Sequence, residues 1–230
     1  MAVSVTSDLT DISLCNTTAD GGTHYRLNGT SSANPAADAD AQVQGSACLA
    51  NKMGSTSGAT DVGGHFNATA TFDISSKHLF HWRQIVTAGN METKPNKGIA
   101  LGMTNTSTTS QTTWSTTNYK LWYMDGKDTI PAAAGWVPYT LDPSSTADLS
   151  AGTLTLTTVR NIGFICRQVS NVTATVSNQF YDAIRMGTGL TLTASSGADV
   201  ADIQDIYDAD KASAWGITTR SEERRVGKEC

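Results

Sequence analysis

From Phe66 to Ile74 the chain places Phe66, Ala68, Ala70, Phe72 and Ile74 at every second position, with Asn67, Thr69, Thr71 and Asp73 between them. A period of two is the repeat of a β-strand, whose successive side chains leave on opposite faces, so the segment predicts a strand with one buried and one wet face. The rhythm recurs. Leu79 to Val86 sets Phe80, Trp82 and Val86 on one side and His81 and Arg83 on the other, and Ile99, Leu101 and Met103 alternate in the same way. Leu154 and Leu156 precede Val159 to Cys166, where Ile162, Phe164 and Cys166 alternate with Asn161, Gly163 and Ile165. Val172, Ala174 and Val176 lead into Gln179 to Met186, where Phe180, Asp182, Ile184 and Met186 share one face. These runs amount to roughly eight to ten strands with no helix between them, which predicts two antiparallel sheets packed face to face.

Composition agrees with that class. Of 230 residues only 16% are charged and 20 are glycine, a balance that fits short strands joined by tight turns and disfavours a helical bundle. The net charge of −5 gives nucleic acid no electrostatic reason to bind. The start, MAVSVTSDLTDISLC, has neither a basic head nor a continuous apolar run, and no stretch reads as a membrane span, so neither export by signal peptide nor a membrane is expected.

Asn118 to Pro143 reads as one hairpin: Tyr119 to Met124 is an aromatic strand, Asp125-Gly126 a turn dipeptide, and Trp136 to Leu141 a second strand after Gly135. Pro131 and Pro138 exclude helix and place that second strand at an edge or beside a bulge. Earlier, Asp8 to Cys15 predicts a first strand, Tyr25 to Leu27 a short one, and Val43 to Ala50 another, bent at Gly45. Thr104 to Asn118, polar around a single Trp114, predicts an exposed loop. Cys15, Cys48 and Cys166 are expected to be free, buried thiols. Sequons at Asn16, Asn28, Asn67, Asn105 and Asn171 are what a chain rich in Asn and Thr produces by chance.

Three segments follow. Residues 1–186 form the sandwich, and 187–219 a small-residue linker with the start of a further module. Within that linker Val200, Ile203, Ile206 and Tyr207 lie at helical spacing, and Trp215 and Ile217 follow. Arg220 to Cys230, RSEERRVGKEC, resembles a translated sequencing adapter and is set aside from the fold.

Catalytic motifs are absent: no G-x-S-x-G, H-E-x-x-H, C-x-x-C or P-loop sequence occurs. His78 and His81 point to opposite faces of their strand and cannot share a metal, while His24 and His65 are expected at the wet surface. A glycosidase carboxylate pair is defined in space, so sequence spacing does not reveal one. The expectation is a protein without catalysis.

FDISSKHLFHWRQIV (Phe72 to Val86), NYKLWYMDG with GWVPYTLDPSS (Asn118 to Ser145), TTVRNIGFIC (Thr157 to Cys166) and QFYDAIRMG (Gln179 to Gly187) resemble, in order, strands of galactose-binding-like and concanavalin-like jelly-roll carbohydrate-binding modules. With LTDISLCNTT before them and DADKASAWGIT after, they are also similar to phage virion proteins in which such a jelly roll precedes a β-rich stalk. The resemblance implies an all-β, two-sheet antiparallel jelly-roll sandwich serving as a structural or interaction module of a phage tail or appendage. Its implied partners are other virion proteins or the chain's own missing C-terminal stalk, usually in a trimer, assembled in the host cytoplasm. A second reading is a lectin-like module that binds surface glycans, and a third a fragment of a polysaccharide-degrading enzyme. For the lectin-like reading, sugar rings would stack on Trp114, Tyr119, Trp122, Tyr123 or Trp136, with Trp114 the most exposed; the alternative is that most of these fill the core. The resemblance also implies a structural calcium between Asp11 and Asp182, whose hard oxygens would suit it. Asp182 otherwise accepts backbone N–H bonds or pairs with an arginine.

Overall fold

The computed structural model describes residues 3–27, 34–40, 42–53, 57–85, 88–109, 114, 117–130, 135–170, 177–188 and 190–194. The expected strand at 172–176, the helix at 199–210, Trp215, Ile217 and the tail at 220–230 lie outside them. The described strands are β1 (Val3–Ser7), β2 (Thr10–Ser13), β3 (Gly22–Leu27), β4 (Ala36–Asp38), β5 (Cys48–Met53), β6 (Thr60–Phe72), β7 (His78–Ile85), β8 (Ile99–Thr104), β9 (Tyr119–Asp125), β10 (Val137–Leu141), β11 (Leu149–Ala151), β12 (Val159–Gln168), β13 (Ser177–Gly187) and β14 (Leu190–Ala194). Among the described residues the only helical pieces are three-residue 3-10 turns at Ala88–Asn90, Lys94–Asn96 and Leu156–Thr158.

All pairings are antiparallel. One six-stranded sheet runs β10-β7-β13-β5-β4, with β2 also on β13; the other runs β11-β9-β8-β12-β6-β3. β1 and β14 pair as a separate ribbon. Between them the two sheets set β5-β13-β7-β10 over β6-β12-β8-β9, the strand order of a jelly roll, so the expected sandwich is the one formed. Leu49, Phe66, Leu79, Leu101, Met103, Trp122, Leu141, Ile162, Phe164, Tyr181 and Ile184 meet between the sheets as one core. Burying such side chains is worth about 1.5–3 kcal/mol each, which makes the two inner faces the main source of cohesion.

The hairpin and the strand expected from Val43 depart from the sequence reading. The segment Asn118 to Pro143 is not a hairpin: β9 pairs with β8 and β11 in one sheet, while β10 pairs with β7 in the other. Asp125-Gly126 ends β9, and the Gly126 carbonyl accepts the N–H groups of Thr129 and Ile130 as the chain starts across to the opposite layer. A turn dipeptide sets a local bend, whereas partner choice follows from which apolar faces must meet across the core. Pro138 does lie on an edge strand, as a residue without an N–H requires. The second departure is β5, which starts at Cys48; Gly45, at φ +74°, belongs to the turn before it.

β7 is turned the opposite way from what its hydrophobicity suggests. Leu79, His81, Arg83 and Ile85 face the interior, while Phe80 and Trp82 face outward and are covered by Leu9, Val43 and Trp136. Arg83 is 1% exposed, and its guanidinium crosses the sandwich. Nη1 donates to the Ala100 carbonyl at 3.0 Å, and Nη2 to the Ile165 carbonyl at 3.1 Å and to Gln179 Oε1 at 3.2 Å. Cys166 Sγ is 3.4 Å from Nη2, and burial holds that thiol up to about 11 despite the nearby charge. Gln179 in turn donates Nε2–H to the Phe164 carbonyl at 3.2 Å. One β7 side chain thus ties to the backbone of β8 and β12 in the facing sheet. The ring nitrogens of His81 and the amides of Asn51 and Gln168 are buried with no hydrogen-bond partner among the described residues.

β13 carries a bulge at Ala183, where φ is +49° and the register against β7 slips between Asp182 and Arg185. The extra residue reverses the alternation. Phe180 and Asp182 therefore lie outside and Ile184 inside, so the four residues expected on one face are divided.

Replacing Arg83 by Met removes the donors to two carbonyls and an amide oxygen that stay buried. The expected loss is about 3 kcal/mol of unfolding free energy, read as a lower urea midpoint at constant slope. An unchanged midpoint would show that the guanidinium is not what joins the layers.

Candidate functional site

β9 presents Tyr119, Leu121 and Tyr123 on the outer face of its sheet and Trp122 and Met124 toward the core, as alternation requires. Tyr123 pairs in register with Ala100 of β8 near the end of the sheet. Just before β8 the chain makes the 3-10 turn Lys94–Asn96, entered through Thr93 with Pro95 in its first positions, and leaves it at Lys97 with φ +80°. This turn is tied to the Asp125-Gly126 bend, since the Lys94 N–H donates to Asp128 Oδ1 at 2.9 Å and the Lys127 N–H to the Glu92 carbonyl at 3.2 Å. The Glu92 N–H donates to the Arg167 carbonyl at 2.8 Å, which joins the same turn to the end of β12.

These elements wall an open depression of about 310 Å³ lined by Ala59, Glu92, Pro95, Asn96, Lys97, Tyr123 and Arg167. Its size falls at the lower end of the ~300–1,000 Å³ typical of small-molecule sites. One wall is fixed by an ion triad: Asp61 of β6 holds Lys97 Nζ at 2.7 Å and Arg167 Nη1 at 3.0 Å. Asp61 and Arg167 are register partners on β6 and β12, so the sheet itself sets that pair. A half-buried phenol ring stands beside a guanidinium, an ammonium, a carboxylate and a carboxamide.

The aromatic residues singled out in the sequence fall in different places. Tyr123 lines the depression. Trp114, expected to be exposed, is 5% exposed. Its indole lies on Gly102 and Gly163, where a β-carbon would come within 2.4 and 2.8 Å of the ring, and Nε1–H donates to Asn161 Oδ1 at 2.8 Å. Two glycines facing each other in register on β8 and β12 leave the slot that receives it. Tyr119 packs edge-on against that indole at 5.5 Å. Trp122 is buried in the core, and Trp136 covers the outside of the other sheet against Phe180.

The two carboxylates considered for calcium have separate partners. Asp182 is fully buried and accepts the N–H groups of Val43 and Gln44 on Oδ2 at 2.8 and 2.9 Å and of Ala183 on Oδ1 at 2.8 Å. Asp11 is exposed and pairs with Arg185 Nε at 2.6 Å. Among the described residues no three His, Cys, Asp or Glu side chains gather as a metal site.

The histidines correct another expectation, because His24 and His65 are buried. Burial, reinforced by His65, lowers His24 to about 3 as it sits between Ser13 Oγ and the Tyr181 hydroxyl. His65 stacks on Tyr25 at 5.3 Å and meets the Asn161 amide at 3.0 Å. His81 is held far below its ordinary range, first by burial and then by Arg83. Cys15, Cys48 and Cys166 are free and buried, as the sequence implies.

Glu92, Asn96, Lys97, Arg167 and Asp61 were not legible as a group. Pro95-Asn96 marks a turn, but nothing in the sequence joins it to Asp61 or Arg167.

No protein-family model and no curated protein matches this chain. Among solved structures, the β-sandwich is similar to part of an exo-beta-agarase, with 15% identity and a TM-score of 0.42 over 72% of this chain. The chain spans 23% of the length of that one.

Burial pushes Asp182 up to about 6 against the pull of its backbone donors and Arg185. A raised folded-state value means its contribution to stability is complete below the ordinary carboxylate range and is lost as pH rises through 6. Wild type should therefore lose about 2–3 kcal/mol relative to Asp182→Asn between pH 4 and pH 7, measured as the difference of their urea unfolding free energies. Parallel pH profiles would refute the shift.

Proposed function

We propose that this jelly roll is a non-catalytic module that binds glycans in the depression around Tyr123. The observation that carries the reading is the placement of a half-exposed phenol ring among Glu92, Asn96, Lys97 and Arg167 in one concave site. A pyranose has an apolar C–H face that stacks on an aromatic ring and a rim of hydroxyls that both donate and accept, so it needs this pairing of surfaces. With Trp114 and Trp122 buried, Tyr119 packed on Trp114 and Trp136 on Phe180, Tyr123 is the candidate that lines the depression. Action by contact alone is supported by the carboxylates there: among the described residues Glu92 is the one that lines the depression, and Asp61 beside it is paired with Lys97 and Arg167.

We further propose a phage particle as the setting, with the module on a tail or appendage protein, assembled in the host cytoplasm as a trimer and joined to other virion proteins or to its own stalk. The strand motifs from Phe72 to Gly187 support this by resemblance. Flanking genes for capsid, portal or tail proteins are the expected finding, and carbohydrate-utilisation genes there would count against it.

On a glycan array the purified chain should bind a defined set of glycans, and Tyr123→Ala should weaken that binding at least tenfold, about 1.4 kcal/mol, while still unfolding in one cooperative urea transition. Absence of binding by the wild type ends the glycan reading. Binding that survives the substitution moves the site elsewhere.

A further inference from the structure

We infer that the depression selects neutral sugars and rejects sulfated or uronic-acid ones, an inference that rests on the glycan reading above. The lining carries Lys97 and Arg167 as cations and Glu92 as an anion, and Asp61, paired with both cations from outside the lining, brings these four charges to balance. The cations are already committed in part, because Asp61 sits 2.7 Å from Lys97 Nζ and 3.0 Å from Arg167 Nη1. What they still offer are N–H donors, since an ammonium carries three and a guanidinium five.

Glu92 decides between ligand classes. An ionised carboxylate only accepts, so it is satisfied by a hydroxyl and opposed by a sulfate or a second carboxylate, which bring charge and no donor. Asn96 adds a carboxamide that donates and accepts, and the remaining N–H groups of Arg167 and Lys97 suit hydroxyl oxygens. Donors and an acceptor around one depression, beside a phenol ring, match vicinal hydroxyls on an uncharged ring. Asp61 acts here as a positioning residue, holding Lys97 and Arg167 at fixed places on the wall.

The test uses the full chain on an array of neutral, uronic-acid and sulfated glycans, followed by calorimetric titration of the best member of each class against wild type, Glu92→Gln and Tyr123→Ala. Wild type should bind neutral members at least tenfold more tightly than charged ones, and Glu92→Gln should narrow that ratio fivefold or more. Preference for sulfated or uronic-acid glycans that still requires Tyr123 overturns this inference and leaves the glycan reading standing. A neutral-to-charged ratio unmoved by Glu92→Gln overturns the role of Glu92. Failure of the wild type to bind any class overturns both.

Discussion

A single guanidinium spans the interior. Arg83 leaves β7 and ends on the carbonyls of Ala100 and Ile165 in the facing sheet, so a charged residue joins the two layers where an apolar one would be expected. The arrangement works because those carbonyls, together with the Gln179 amide oxygen, supply acceptors that water would otherwise provide. It also fixes the relative position of the layers. Apolar packing between Leu101, Phe164 and Tyr181 is tolerant of small slips, whereas hydrogen bonds of 3.0 and 3.1 Å are not.

Placing Arg83 and His81 inside forces Phe80 and Trp82 outside, and the rest of that sheet compensates. The bulge at Ala183 puts Asp182 on the outer side, where it gathers the N–H groups of Val43 and Gln44 and so holds that turn against the sheet. Leu9, Val43 and Trp136 then close over the two rings. The opposite sheet solves a related problem with glycines: Gly102 and Gly163 leave a slot that Trp114, from the segment after β8, fills. Both outer faces are therefore partly covered by the chain's own segments, and the depression at Tyr123 lies beyond that cover.

That depression depends on the jelly-roll path. Residues 59–61, 92–97, 123 and 167 are remote in sequence, and they converge because β6, β12, β8 and β9 are consecutive neighbours in one sheet. The Lys94–Asn96 turn bonds to the end of β12 on one side and to the Gly126 bend on the other, so its polar side chains are carried by a braced loop.

Periodicity alone determined the class of this protein. The alternation in Phe66 to Ile74 and in Ile99 to Met103 is a property of the local chain, and short polar turns with few charges leave a helical bundle no means of burial. Tyr123 stood among five aromatic candidates, and nothing local set it apart from Trp114, Tyr119, Trp122 or Trp136. Tertiary structure decided everything that alternation leaves two-fold. It chose which face of β7 is inside, because a buried arginine is tolerable only where carbonyls from another sheet meet it, and those carbonyls lie 17 and 82 residues away. It split the apparent hairpin between two layers, buried Trp114 over glycines of two other strands, and gathered Asp61, Glu92, Lys97 and Arg167. Each of these is a meeting of distant residues, and a period of two carries no information about which strands will be neighbours.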